Sequence, residues 1–202
     1  LAEPIAALRG WDYRWGLRSV PNSLACLWAE DLRQWTLAHS QGAPRTLYDR
    51  MAAAPAAVKL SLLSSVVLRL ERDFGDWRTP WGDINRLQRL TGAITPTFDD
   101  AAPSIPIPFS SARWGSLASF GARAYPGTRK WYGTSGNSFI AAVEFGDRVH
   151  AKAVSVGGES GDPASPHFND QSALYAAGAL RPVYFYPDEL ARHVERRYRP
   201  GQ

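Results

Sequence analysis

The sequence predicts an α+β fold, helical in its first half and mainly antiparallel strands with helices in its second. Three observations carry this. Apolar residues recur at three- and four-residue steps through the first third. A proline-rich loop follows, at about 95–111, with Pro96, Pro103, Pro106 and Pro108. β-rich runs fill the rest, and helices before strands without a βαβ series point to an antiparallel sheet.

Taken in order, Leu24, Leu27, Trp28, Leu32 and Trp35 mark one face of a helix over 20–38. Ser19 suits its N-cap, and Pro21 is tolerated in a first turn. Thr46 caps a short helix through Met51. A longer helix runs from Pro55 to Phe74, with Leu60, Leu63, Val67 and Leu70 as its core stripe and Gly75 as its stop. The stretch 79–90 holds another short helix with Ile84, Leu87 and Leu90 inward. Segment 1–94 is therefore the helical part, 95–111 a crossing loop and 112–202 the strand-rich part. A strand is expected at 116–122. Two more, 138–145 and 148–156, flank Gly146-Asp147, a hairpin signal. A helix from Asp170 to Ala177, a strand at 181–186 and a helix at 187–197 complete the chain.

Composition narrows the function. The chain has 202 residues, 45% hydrophobic and 21% charged, enough apolar content for a core and too little charge for disorder. The net charge is +4, and all but Lys59, Lys130 and Lys152 of the 23 basic residues are Arg. They are scattered, apart from a short run at 192–199. Without a basic, aromatic stripe they do not read as a nucleic-acid surface. No apolar run approaches the roughly 18 residues of a membrane span. Cys26 is the only cysteine, so there is no internal disulfide and no cysteine metal cluster. It falls in an apolar helical pattern and reads as a buried small hydrophobe. No cofactor is implied.

The densest chemistry lies at 158–171, GESGDPASPHFNDQ. A triad of Ser165, His167 and Asp170 would need three members within six residues of one loop. Triads are gathered from separate rigid elements, and Ser165 is held extended by Pro166. A metal set of Asp162, His167 and Asp170 matches no spacing of a calcium loop or zinc motif. Asp99 and Asp100 read as turn and solvent residues, not as a glycosidase pair. The loop is rich in groups that bond backbone, Ser160, Asp162, Ser165, Asn169 and Asp170, and reads as an ordered structural loop ending in a helix cap. His167 reads as a hydrogen-bonded structural histidine. A cap at Asp170 implies a loss of about 1 kcal/mol in Asp170→Ala.

Four stretches, TPWGDINRLQR at 79–89, GTRKWYGTSGNSFIAAVEFGD at 127–147, GESGDPASPHFNDQ at 158–171 and RPVYFYPDEL at 181–190, occur in this order. With the opening AALRGWDYRWGLRSVPNSLACLWAEDL they resemble the C-terminal part of the β chain of the penicillin acylase family, and its acyl-homoserine lactone acylase branch most. The resemblance implies an N-terminal nucleophile amide hydrolase with an αββα sandwich. A Ser freed by self-cleavage attacks the amide carbonyl with its own α-amino group as base. It further implies export to the periplasm or beyond, and partnership with the remaining β chain and an α chain. Position one here is Leu1, so no catalytic residue carries over. The chain is expected to be a fragment, silent alone, whose tryptophans (Trp28, Trp35, Trp81 and Trp131 among them) partly line the missing interface. Asn137 and Ser138 are expected at the start of a central strand, with the 158–171 loop pinning that sheet to the last helices. Two other classes stay open: an aromatic-rich carbohydrate-binding module, and an interaction protein docking through helices 20–38 and 55–74.

Overall fold

The computed structural model describes residues 1–39, 46–199 and 201. The chain is a mixed α+β protein that divides into two compact units, Leu1–Gln88 with Phe98–Gly136, and Arg89–Thr97 with Asn137–Gln202.

The first unit opens with α1 (Ala2–Arg9), α2 (Val20–His39), α3 (Leu47–Ala53) and α4 (Ala56–Phe74). Ser19 Oγ accepts the Asn22 amide at 3.3 Å, satisfying one of the free N–H groups at the start of α2. Thr46 does the same for Asp49 at the start of α3. The chain stops α4 at Gly75, whose φ of 88° only glycine adopts without strain. Leu24, Cys26 and Leu27 of α2 pack with Leu63, Val66 and Leu70 of α4 in one core cluster. The stripe of α4 differs from the expected one. Leu60 is 45% exposed and Val66 is fully buried. Residues 60–70 carry apolar side chains on several faces, and the packing partner α2, not periodicity alone, selects the row that is buried.

The short helix expected within 79–90 is α5 (Trp81–Ile84), which leaves Leu87 and Leu90 outside it. At Asn85 the backbone turns extended and enters β1 (Asn85–Leu87). Pairing explains the switch. The Asn85 carbonyl accepts the Ile107 amide at 3.0 Å, and its side-chain amide donates to the carbonyls of Ile107 and Phe109, both at 2.8 Å. Ile84 and Leu87 are buried as expected, whereas Leu90 is 37% exposed. The proline-rich stretch contributes β2 (Ile105–Pro106) and buries Ile107 and Phe109. Asp100 is not a solvent residue. Its carboxylate accepts the Arg129 amide at 2.7 Å and the Tyr132 hydroxyl at 2.9 Å.

β3 (Phe120–Ala124) starts later than the expected 116–122, and β4 (Trp131–Gly136) was not expected. The four strands run β2-β1-β4-β3, antiparallel except for the parallel pair β1 and β4. A Cβ at Gly133 would fall on the Phe120 ring. The glycine that lets the two strands close thus erases the strand pattern from the sequence.

The second unit is a three-stranded antiparallel sheet, β5 (Phe139–Glu144), β6 (His150–Ser155) and β7 (Arg181–Val183), with α6 (Ser172–Ala176) against β6. The hairpin forms as expected but not through a two-residue turn. Glu144 pairs with His150, leaving residues 145–149 as the loop. Asn137 and Ser138 precede β5, and the Ser138 carbonyl accepts the Val156 amide at 2.7 Å. Within this sheet β5 is the edge and β6 the centre, so these two residues do not open a central strand here. β7 ends at Val183. The last helix, α7 (Pro187–Leu190), stops far short of 197, since Arg192, Arg196, Arg197 and Arg199 bring like charge and no apolar stripe to bury. Among the described residues no single helix is long and apolar enough to cross a membrane.

Candidate functional site

Loop 157–171 is built by backbone closure. The Gln171 amide donates to the Gly157 carbonyl at 3.0 Å, so the loop returns to where it left β6. Gly157 sits at φ 92°, and Arg89 lies against it, at 2.9 Å from where a Cβ would project. Inside, the Ser160 amide donates to the His167 carbonyl at 3.1 Å. Short turns follow: Ser165 N–H to the Asp162 carbonyl and Phe168 N–H to the Ser165 carbonyl, both at 3.0 Å. This is the compact surface loop of an Ω type, tied by its own polar groups.

Arg89 is the central tie. Its guanidinium donates to the carbonyls of Phe168 and Ser160 and lies 4.0 Å over the buried Phe168 ring. Sequence reading passed over Arg89 because its partners are more than seventy positions away. Gln171 is the second tie. Its side-chain oxygen accepts the Ser155 amide at 2.9 Å, and its amide nitrogen donates to Glu159 at 3.3 Å. Glu159 also accepts from Ser155 Oγ and Arg181, and these bonds, Ser155 first, hold its carboxyl below the usual range.

The structure places the expected chemical residues as follows. The His167 ring lies between two carboxylates, Asp170 at 2.9 Å from Nδ1 and Glu195 at 3.0 Å from Nε2. The Asp170 bond, then the Glu195 bond, raises its pKa. Ser165 Oγ does not meet the ring. It accepts the His167 backbone amide at 3.2 Å. The Ser165, His167, Asp170 set is thus a turn and an ion pair, not a nucleophile and its base. Asp162 accepts the Ala164 amide instead of joining His167 and Asp170, and among the described residues no three His, Cys, Asp or Glu groups converge to hold a metal. Asp170 does not cap α6. Gln171 holds the N-cap position without a side-chain cap bond, and the Asp170 carboxylate is spent on His167. Asp170 is recognisable as a partner from its spacing of three from His167, whereas Glu195 carries no local signal.

Outside this loop, Cys26 is 2% exposed and burial pushes its thiol up to about 12, so it stays protonated and unreactive. A cleft of about 510 Å³ lies between α2 and the β3–β4 hairpin. Arg33 and Arg113 pair with Glu30 at 2.8 and 2.9 Å, Asp31 pairs with Arg69 at 3.1 Å, and Arg123 lies 4.8 Å over the Tyr125 ring. A groove of about 440 Å³ on the β5-β6-β7 face is lined by Glu144, His150, Lys152, Pro182 and Tyr184.

All eight tryptophans are buried or half-buried. Trp81 is in the core with Trp131 edge-on at 6.3 Å, Trp28 donates to the Lys59 carbonyl, and Trp35 packs on the Leu32, Met51 and Ala54 cluster. They pack largely within the first unit and do not form the open stacking platform of a glycan module.

No curated protein matches the chain. The model of the penicillin amidase family matches residues 1–192. With nearly its whole length in that match, the chain belongs to the penicillin amidase family.

Proposed function

We propose that this chain is the C-terminal part of the β chain of an acylase, serving as a structural segment of the enzyme. The family supplies the activity class, amide hydrolysis of the acylase type. The catalytic Ser would stand on another stretch of the enzyme, where its own α-amino group would be its base. One observation carries this reading. The base and the thiol weighed from the sequence, His167 and Cys26, are both committed elsewhere. Each ring nitrogen of His167 is held by a carboxylate, and the Cys26 thiol is buried and protonated.

The acyl-homoserine lactone branch is the substrate reading favoured by the sequence motifs. The remaining β chain and the α chain are the partners it implies, and export to the periplasm the setting. The test is hydrolysis of a long-chain acyl-homoserine lactone and of a phenylacetyl amide. Each is offered to this chain alone and to the chain joined to its upstream segment. Turnover only by the joined form is the expected result, and the better substrate identifies the branch. Turnover by the chain alone would overturn the proposal, and Ser165 and Cys26 would then be replaced in turn.

A further inference from the structure

The contact between His167 and Glu195 joins two stretches that nothing in the acylase reading uses. His167 belongs to the 157–171 loop. Glu195 belongs to the irregular stretch 191–199, which runs on from α7. We propose that His167 is a pH-sensitive latch that holds the stretch 191–199 on this loop while its ring carries two protons.

The geometry sets the proton count. A carboxylate only accepts hydrogen bonds, and a neutral imidazole has a single N–H. Asp170 stands 2.9 Å from Nδ1 and Glu195 3.0 Å from Nε2. Both bonds form together only when both nitrogens carry hydrogen, that is, in the imidazolium. When the ring loses a proton, one nitrogen turns a lone pair toward a carboxylate, and that contact becomes repulsive. Asp170 lies three residues from His167 in the same ordered loop, so it stays close in either state. Glu195 comes from an exposed, irregular stretch and is the partner that leaves.

The charged groups bearing on the ring are Asp170 from the loop and Glu195 from the opposing stretch. Arg89, the cation of the segment packed on this loop, spends its donors on the carbonyls of Phe168 and Ser160. Both carboxylates raise the ring's affinity for its second proton. The latch is therefore fully formed below the ordinary histidine pKa of about 6.5 and is lost as pH rises through the higher folded value. The start of the stretch is held by the Arg192 and His193 amides on the Glu189 and Leu190 carbonyls and by His193 stacked on Tyr184 with ring centroids 3.7 Å apart. Loss of the latch thus loosens the part beyond it, which carries Arg196, Arg197 and Arg199.

Trypsin reads this directly, since it cuts after Arg196 and Arg197 only when the stretch detaches. The cleavage rate of the full protein is followed from pH 6 to 9 by mass spectrometry and divided by the rate on a free peptide of residues 187–199. The exposed pair predicts a rise of about two- to five-fold in the normalised rate across the step. Glu195→Gln, which keeps the size of the side chain and removes its charge, abolishes the step and leaves the rate high throughout. His167→Gln, with no titrating ring, is flat as well. A normalised rate that does not change with pH in the native protein, or a step that survives in Glu195→Gln, overturns the proposal.

Discussion

Asn85 is the residue whose loss best tests the account of the first unit. It ends α5, begins β1 and holds the proline-rich stretch in place. Its side-chain nitrogen donates to the Ile107 and Phe109 carbonyls, both at 2.8 Å, and the residue is fully buried. In Asn85→Ala those two carbonyls lose this donor, at about 1–3 kcal/mol each. One term opposes this. The Asn85 Oδ1 atom is buried without a partner, and deleting it recovers a desolvation cost of about 1–3 kcal/mol. The balance is a loss of about 1–3 kcal/mol, a large share of a typical domain's stability.

Urea unfolding followed by tryptophan fluorescence measures it cleanly, because all eight tryptophans lie between residues 11 and 131 and so report the first unit alone. Asn85→Asp sharpens the test. It removes the donor and buries a carboxylate that the carbonyls repel, so it is less stable than Asn85→Ala at neutral pH. A loss under about 1 kcal/mol in Asn85→Ala, or an Asn85→Asp protein as stable as Asn85→Ala, would refute the role given to this side chain.

Two further outcomes are expected. Cys26, with its thiol pushed up to about 12 by burial, should resist a thiol-reactive dye at pH 8 in the folded protein and react fully in denaturant; rapid labelling of the native state would show the site to be open. Gly158→Ala should loosen the 157–171 loop, since a Cβ there falls on the His167 carbonyl and within 2.6 Å of Asp170 Oδ1. A loss of about 1–3 kcal/mol is expected. Faster hydrogen exchange at the Ser160 and Gln171 amides would report it, and unchanged exchange would contradict the packing described.

Much of the helical part was legible because its signals are local. Ser19, Thr46 and Gly75 act on backbone groups within four residues, and Leu24, Leu27 and Leu32 of the expected α2 stripe are buried. The hairpin was legible for the same reason, each strand carrying its own pattern. What escaped depends on partners distant in sequence. β1 and β2 are three and two residues long, too short to show a period, and exist because Asn85 finds Ile107. β4 was hidden by Gly133, the residue that Phe120 requires.

The loop at 158–171 shows the same division more sharply. Its internal turns, at Asp162 and Ser165, were implied by residue type. A pinning role was expected for it, but the residues that tie it were not legible, because Arg89 reaches it from one side of the sequence and Glu195 from the other. The triad, rejected from the sequence, does not form for a physical reason. A six-residue span lets His167 meet Asp170, but it turns Ser165 Oγ onto backbone. The same closeness that makes these residues look catalytic makes them satisfy one another. A nucleophile needs a base that has not already been claimed, and in this loop the ring is claimed on both sides.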